Sequence, residues 1–191
     1  MFKRFALLLC GVCMMAALTS CGGGDIGGGV GEFTTVSASA VAKTPRLESD
    51  VVKGNSCSTS GSTGGTIETD AIDVDFTSTQ LYSSGALNLV ISKVTVHYTP
   101  VNRATTPDIP DYFLNTSQTV APGTTATISV PILTDAQKIA LLDRTTLPMP
   151  LCSSTVFEYY VDIIFEASEP GGNGKVRTIV AKTNLAVADR S

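Results

Sequence analysis

Histidine is the side chain that most often acts as a base near neutral pH, and this chain contains one, His97. Apolar residues alternate around it, with Val94, Val96 and Tyr98 on one face, so we expect His97 to face solvent or a sheet edge. No Ser or Cys nucleophile motif and no evident orienting carboxylate accompanies it. The sequence therefore predicts a surface histidine, no catalytic residues and no enzymatic activity.

Three aspartates, Asp70, Asp73 and Asp75, are candidate calcium ligands because hard cations prefer oxygen atoms. Their spacing argues against such a site, since neighbours on one strand face lie about 7 Å apart and no glycine-turned loop gathers them. Asp108 and Asp111 belong to a proline-rich connection that is typical of a stiff surface loop. We therefore expect solvated acidic surfaces, with no metal ion and no other cofactor.

Glu158, Asp162 and Glu166 stand on one face of the strongest alternating segment. A four-residue spacing along a strand is too wide for the paired carboxylates of a glycosidase. Tyr160 and Ile164 fall on the same face, which makes it a mixed polar and apolar surface. We predict that Glu158, Tyr160, Asp162 and Ile164 form an interaction face.

The N-terminal residues follow an export pattern. Lys3 and Arg4 precede an apolar run over residues 5–18, the sequence Leu18-Thr-Ser-Cys21 follows, and glycines occupy positions 22–24. The apolar run is too short for a spanning helix and is followed by small residues, as in a cleaved leader. The segment resembles the signal peptide of bacterial lipoproteins, with its lipobox of leucine, a small residue and cysteine.

This resemblance implies that Cys21 receives a diacylglyceryl thioether and, after cleavage, an acyl chain on its amino group. Each buried methylene contributes about 0.8 kcal/mol, so several chains together give a lasting membrane anchor. Gly22 stands where an aspartate commonly marks retention in the inner membrane, which favours the outer membrane. The alternative is an ordinary cleaved secretory peptide that leaves Cys21 free.

The other cysteines fit an exported protein. Cys10 and Cys13 would leave with the leader, which leaves Cys57 and Cys152 as a pair in an oxidising compartment. A disulfide between them would close a long loop and stabilise the folded state by roughly 4–5 kcal/mol on the chain-entropy model. Two free thiols are the alternative, whereas two cysteines and one histidine are too few for a zinc site.

The charge of the chain argues against nucleic acid as a partner. Removal of residues 1–20 leaves 11 of the 13 basic residues against 17 acidic ones, a formal charge of −6. No basic cluster is present to bind phosphates or anionic lipid. We expect the lipid anchor to be the membrane contact and an envelope protein to be the partner.

Alternation with a period of two predicts most of the elements. The apolar phase changes at Ser92-Lys93, which predicts a β-bulge, and Glu169-Pro-Gly-Gly-Asn-Gly174 predicts a hairpin turn. Residues 33–41 alternate weakly and are a candidate edge strand. The stronger predicted strands cover residues 72–77, 87–98, 112–116, 125–133, 157–166 and 176–187.

One short helix interrupts the strands. Thr134 and Gln137 have the spacing of a capping box, in which each side chain bonds to the backbone of the other residue. Ile139, Leu141 and Leu142 supply an apolar side. A helix of this length needs tertiary packing to be stable.

Six or seven strands with one connecting helix favour an all-β fold, an antiparallel sandwich of immunoglobulin-like or fibronectin-III-like architecture. A small barrel is the alternative. We predict a signal peptide over 1–20, a lipidated cysteine with glycine-rich tether and Ser/Gly/Thr-rich loop over 21–65, and the sandwich over 66–191.

The function expected from these features is that of a membrane-anchored envelope lipoprotein that acts as a non-catalytic interaction or structural module. The alternative is a ligand- or polysaccharide-binding lipoprotein, with or without hydrolytic activity. The absence of tryptophan weakens the alternative, because sugar sites commonly use exposed aromatic platforms and only tyrosines could supply them here.

Overall fold

The computed structural model describes residues 30–58 and 61–190. The predicted signal peptide, the lipobox with Cys21 and residues 22–29 of the tether lie outside the described residues. Within them the chain forms eleven strands and one helix. Their order is β1 (Val30–Glu32), β2 (Val36–Ala42), β3 (Arg46–Asp50), β4 (Ser56–Ser58), β5 (Gly61–Thr63), β6 (Asp70–Gln80), β7 (Leu89–Pro100), β8 (Tyr112–Val120), β9 (Thr124–Leu133), α1 (Asp135–Leu142), β10 (Phe157–Ser168) and β11 (Arg177–Ala188).

Two sheets pack face to face around one apolar core. One has the strand order β1-β2-β6-β9 and the other has the order β3-β11-β10-β7-β8, while β4 and β5 form a separate hairpin. Phe76 and Phe165 meet across the core with ring centroids 5.5 Å apart. The predicted all-β sandwich is confirmed, and the two sheets do not form the alternative barrel.

The strands that alternation predicted are present; four of the six are longer than predicted, while β7 and β11 have the predicted length but are shifted by two residues and one residue toward the C-terminus. The bulge is also confirmed, because the register between β7 and β10 shifts where Ser92 is inserted between Ile91 and Lys93. Ile91 and Val94 are both buried, so the extra residue returns the apolar side chains to the core. The hairpin joins β10 to β11, with Ala167 paired to Arg177 beside the turn.

The N-terminal strands are divided between the two sheets: β1 and β2 belong to the four-stranded sheet and β3 belongs to the five-stranded sheet. β2 lies between β1 and β6, so the predicted edge strand over 33–41 is instead an interior strand. The chain then crosses at residues 43–45, and β3 pairs in parallel with β11. The Thr183 hydroxyl donates a 2.7 Å hydrogen bond to the carbonyl of Thr44 at this crossing. The sandwich therefore includes residues before the predicted boundary at 66.

The strand connections divide between the two ends of the sandwich. The end that carries the short connections, which we call the turn end, has the loops 33–35, 81–88, 121–123 and 169–176. The opposite end, which we call the loop end, has the crossing 43–45, the segments 51–69, 101–111 and 134–156, and residues 189–190.

Helix α1 begins at the predicted capping box, in which Thr134 is the N-cap and both reciprocal bonds with Gln137 are present. The predicted apolar side is only partly correct. Leu141 is buried, but Ile139 is 46% exposed and Lys138 is buried in its place. The helix therefore packs against the sandwich through a charged side chain as well as an apolar one.

Lys138 is buried because it has two partners. Its Nζ lies 2.8 Å from Oδ2 of Asp70 and donates a 2.7 Å hydrogen bond to the carbonyl of Asp50. Ser49 donates to the same Asp70 oxygen at 2.5 Å. These bonds join α1, β6 and the end of β3, so a charge that would be costly to bury alone holds three elements together.

A second buried charge holds the turn end. The Glu169 carboxylate is inaccessible to solvent and accepts hydrogen bonds from the backbone of Thr34 at 2.8 Å and from the backbone and hydroxyl of Thr35. The Thr35 hydroxyl oxygen also accepts a 2.9 Å bond from the backbone N–H of Leu87. Glu169 thus connects three of the four turn-end loops.

Two buried tyrosines complete the core near the loop end. The hydroxyl of Tyr98 donates to the carbonyl of Ile132 at 2.6 Å, and that of Tyr159 donates to the carbonyl of Pro107 at 2.8 Å. Burial raises the pKa of Tyr98 to about 12 and raises that of Tyr159 as well. The native state therefore favours the neutral phenols, and this contribution to stability is lost as the pH rises from about 10 toward 12.

We predict that Lys138→Met lowers the free energy of unfolding by about 1–3 kcal/mol, because it leaves the Asp50 carbonyl without this donor and the Asp70 carboxylate without its positively charged partner. Lys43→Met is the matched control. Nζ of Lys43 lies 3.2 Å from Oδ1 of Asp75, which belongs to β6 as Asp70 does, but the Lys43 side chain is 46% exposed. The control should cost less than about 1 kcal/mol. Denaturant unfolding measures both, and equal effects would contradict the role assigned to Lys138.

Candidate functional site

The predicted interaction face lies on the outer side of the five-stranded sheet. Glu158, Tyr160, Asp162 and Ile164 alternate with buried residues along β10, which has β7 on one side and β11 on the other. Tyr160 is the most exposed of the four, at 58%. The alternation therefore assigned these side chains to the correct face.

An open groove of about 590 Å³ lies on this face beside Tyr160. Register places Thr99 of β7 and Asn184 of β11 on either side of Tyr160, and Lys182 opposite Asp162. Pro45, from the crossing between the sheets, closes one side. The groove thus combines an aromatic ring and aliphatic surface with one carboxylate, one ammonium group and neutral hydrogen-bonding side chains.

Salt bridges fix the end of the face near β3. Arg46 lies 3.0 Å from Glu158 and 2.5 Å from Glu48, and Arg190 also contacts Glu48. Hydrogen bonding and charge attraction from Glu48, and then from Glu158, raise the pKa of Arg46. Glu158 therefore belongs to a surface ion-pair network at the edge of the face, where its role is structural.

His97 faces solvent as predicted, and it lies on the same outer face beside Asp162 in the register. The expectation that no carboxylate accompanies it is wrong. Nδ1 of His97 lies 2.8 Å from Oδ1 of Asp111, and their side chains are 47% and 51% exposed. The pair was not evident from sequence because a connection of eleven residues returns Asp111 to the neighbouring edge.

The aspartates of β6 have different partners. Asp70 binds Lys138, whereas Asp75 accepts from the Thr127 hydroxyl at 2.7 Å and pairs with Lys43. The Thr127 hydrogen bond, with Lys43, lowers the pKa of Asp75. Asp73 is exposed. The three carboxylates do not converge, in agreement with the spacing argument against a shared calcium site.

The predicted disulfide is present between Cys57 and Cys152, with Cα atoms 5.5 Å apart. It attaches the β4–β5 hairpin to the segment between α1 and β10. Among the described residues, one cluster has the composition of a metal site, namely these two cysteines with Asp189. Because both sulfur atoms are bonded to each other, neither is available as a thiolate ligand.

Asp189 stabilises the disulfide region through hydrogen bonds. Its buried carboxylate accepts from Nδ2 of Asn55 at 2.9 and 3.1 Å and from the backbone N–H of Cys152. No sequence pattern predicts the role of Asp189, because it follows the last strand and belongs to no alternating segment. The disulfide could be predicted from the export pattern and the two cysteines that remain after the lipobox, whereas its carboxylate partner could not.

Comparison with known proteins gives no relative: no family model, no curated protein and no solved structure matches the chain. Within the described part of the chain, no helix has the length and apolar character needed to cross a bilayer.

We predict that the Cys57→Ser, Cys152→Ser double variant loses roughly 3–5 kcal/mol of stability, because it removes a covalent link between residues 95 positions apart. The measurement is denaturant unfolding beside the unchanged chain, with and without a reducing agent. Reduction should lower the stability of the unchanged chain to that of the variant and leave the variant unaffected. A variant as stable as the oxidised chain would contradict this assignment.

Proposed function

We propose that this protein is a lipid-anchored protein of the bacterial cell envelope, placed at the outer membrane, whose sandwich binds another envelope protein without catalysing a reaction. The lipobox pattern that ends at Cys21 supports the anchor and its location. The Cys57–Cys152 disulfide supports an oxidising compartment.

The observation that carries the interaction role is the groove beside Tyr160. Tyr160 is 58% exposed beside an open groove in the middle of a sheet, and tyrosine is among the residues that dominate binding energy at protein interfaces. The groove is wide enough for an apolar side chain of a partner. Asp162 and Lys182 at its margin favour a partner that offers complementary charges.

The strand arrangement supports an immunoglobulin-like or fibronectin-III-like module. Three features suit such a module. The N-terminal segment is shared between the two sheets, β3 pairs in parallel with the last strand, and one sheet contains the order β11-β10-β7-β8. These sandwiches commonly present sheet faces and loops to partners, but the fold alone does not define a function.

The second candidate is a glycan-binding lipoprotein, and the same groove favours it. Tyr160 offers a flat ring, and Thr99, Asp162 and Asn184 offer hydrogen-bonding groups around it. Sugar rings bind to such combinations of an aromatic platform and polar side chains. A protein partner is preferred because the groove is open and its floor is shallow strand surface.

We predict that a photo-cross-linking residue placed at Tyr160 captures one envelope protein in intact cells, because the ring lies over the proposed interface. The matched control is the same substitution at Ile139, which is 46% exposed on α1 at the loop end. A second control is Cys21→Ser, which should leave the membrane fraction and lose the cross-link.

Equal capture from both positions, or capture from neither, would contradict the interface at Tyr160. Retention of the Cys21→Ser variant in the membrane fraction would contradict the anchor. If the Tyr160 position gives no protein adduct but the chain binds a glycan array, and Tyr160→Ala abolishes that binding, the glycan-binding candidate replaces the protein-binding one.

A further inference from the structure

The two ends of the sandwich differ in charge. The four turn-end loops contain no exposed carboxylate, since their one acidic residue, Glu169, is buried against Thr34 and Thr35. Lys175 and the adjoining Arg177 are exposed there, beside a single exposed acid, Glu32. The loop end, by contrast, exposes five carboxylates, at positions Glu68, Asp108, Asp111, Asp135 and Asp143, against four basic side chains, Lys43, Lys53, Arg103 and Arg190, so its exposed charge is slightly acidic.

The turn end also exposes apolar side chains on loop tips. Tyr82 is 63% exposed, Val176 is 59% exposed and Leu81 is 44% exposed. Tyrosine is favoured at a membrane interface because its ring is apolar and its hydroxyl is polar, and lysine or arginine nearby attracts anionic headgroups. An acidic protein therefore has one end whose surface chemistry suits a lipid surface.

The position of β1 places the same end near the proposed anchor. Val30 pairs with Ser39 of β2, and Ser39 pairs with Thr77 of β6. Thr77 is three residues from the turn-end limit of β6 and seven residues from its loop-end limit. At about 3.3 Å per residue, Val30 lies about 10 Å from the turn end and about 23 Å from the opposite limit of that strand. The chain thus joins the sandwich close to the turn end.

The length of the tether limits how far the domain can move from the bilayer. Eight residues, six of them glycine, separate Cys21 from Val30. Nine virtual bonds reach about 30 Å when fully extended, and a glycine-rich coil of this length averages about 17 Å between its ends. The average is shorter than the distance of about 23 Å between Val30 and the loop-end limit of β6, so a tether of average length brings the turn end, rather than the loop end, to the bilayer.

We infer that the turn end rests on the membrane surface and contacts anionic phospholipid through Lys175, Arg177, Tyr82 and Val176. This inference rests on the proposed lipid anchor at Cys21. It differs from the expectation that the anchor alone makes the membrane contact. The acidic loop end then faces away from the headgroups, and the Tyr160 groove lies on the side of the sandwich, nearer the loop end of β10, where a partner can reach it.

The absence of tryptophan allows a direct test. The full chain is purified from membranes as the Tyr82→Trp variant and, for comparison, the Val101→Trp variant, in which the replaced side chain is 46% exposed at the loop end. Both are reconstituted in vesicles of phosphatidylethanolamine and phosphatidylglycerol with or without brominated acyl chains, which quench tryptophan. Intact mass reports whether Cys21 carries lipid.

We expect brominated lipid to lower the emission of the Tyr82→Trp variant about twofold and to leave that of the Val101→Trp variant almost unchanged. Adding Lys175→Glu and Arg177→Glu to the Tyr82→Trp variant should remove most of the quenching. Circular dichroism checks that each variant is folded, and all four substituted side chains lie at exposed positions.

Each outcome decides a separate point. A lipidated Tyr82→Trp variant that is quenched no more than the Val101→Trp variant would overturn the contact while leaving the anchor intact. Quenching that survives the charge reversal would overturn the role of Lys175 and Arg177. An unmodified Cys21 would overturn the anchor, and with it the inference.

Discussion

The structure depends on residues 30–50 closing both sheets. Without β2, residues 74–80 of β6 would lose their partner strand on that edge, and without β3 residues 184–188 of β11 would lose theirs. Such edges are prone to pair with other chains. Three buried polar clusters, at Glu169, Lys138 and Asp189, attach this segment and the residues after it to the rest of the sandwich. The N-terminal segment of the described chain is thereby made part of the core.

Local pattern was sufficient for strands whose two faces differ in polarity. β6, β7 and β10 alternate clearly, and the bulge at Ser92 was visible because one inserted residue reverses the apolar phase. The sheet membership of β2 and β3 was harder to predict, since β2 is rich in alanine and serine and the parallel pairing of β3 is non-local. The burial of Lys138 and Glu169 also escaped prediction, because periodicity gives a side chain's face but not its partner.

The candidate site shows the same division. The face of Tyr160 followed from alternation along β10, whereas the groove beside it depends on the register of β11 and on Pro45 at the crossing between the sheets. The pairing of His97 with Asp111 required the path of a long connection. Chemistry confined to one strand was therefore predictable, and chemistry assembled from several segments was not.

The central claim is that residues 36–50 are an integral part of the sandwich rather than an extension of the tether. Native-state hydrogen exchange resolved by residue tests it most directly. We predict that the backbone N–H groups of β2 and β3 that bond to β6 and β11 exchange only with global unfolding, at the rate of the slowest groups in β10. Rapid exchange across β2 and β3, while β10 remains protected, would contradict the account.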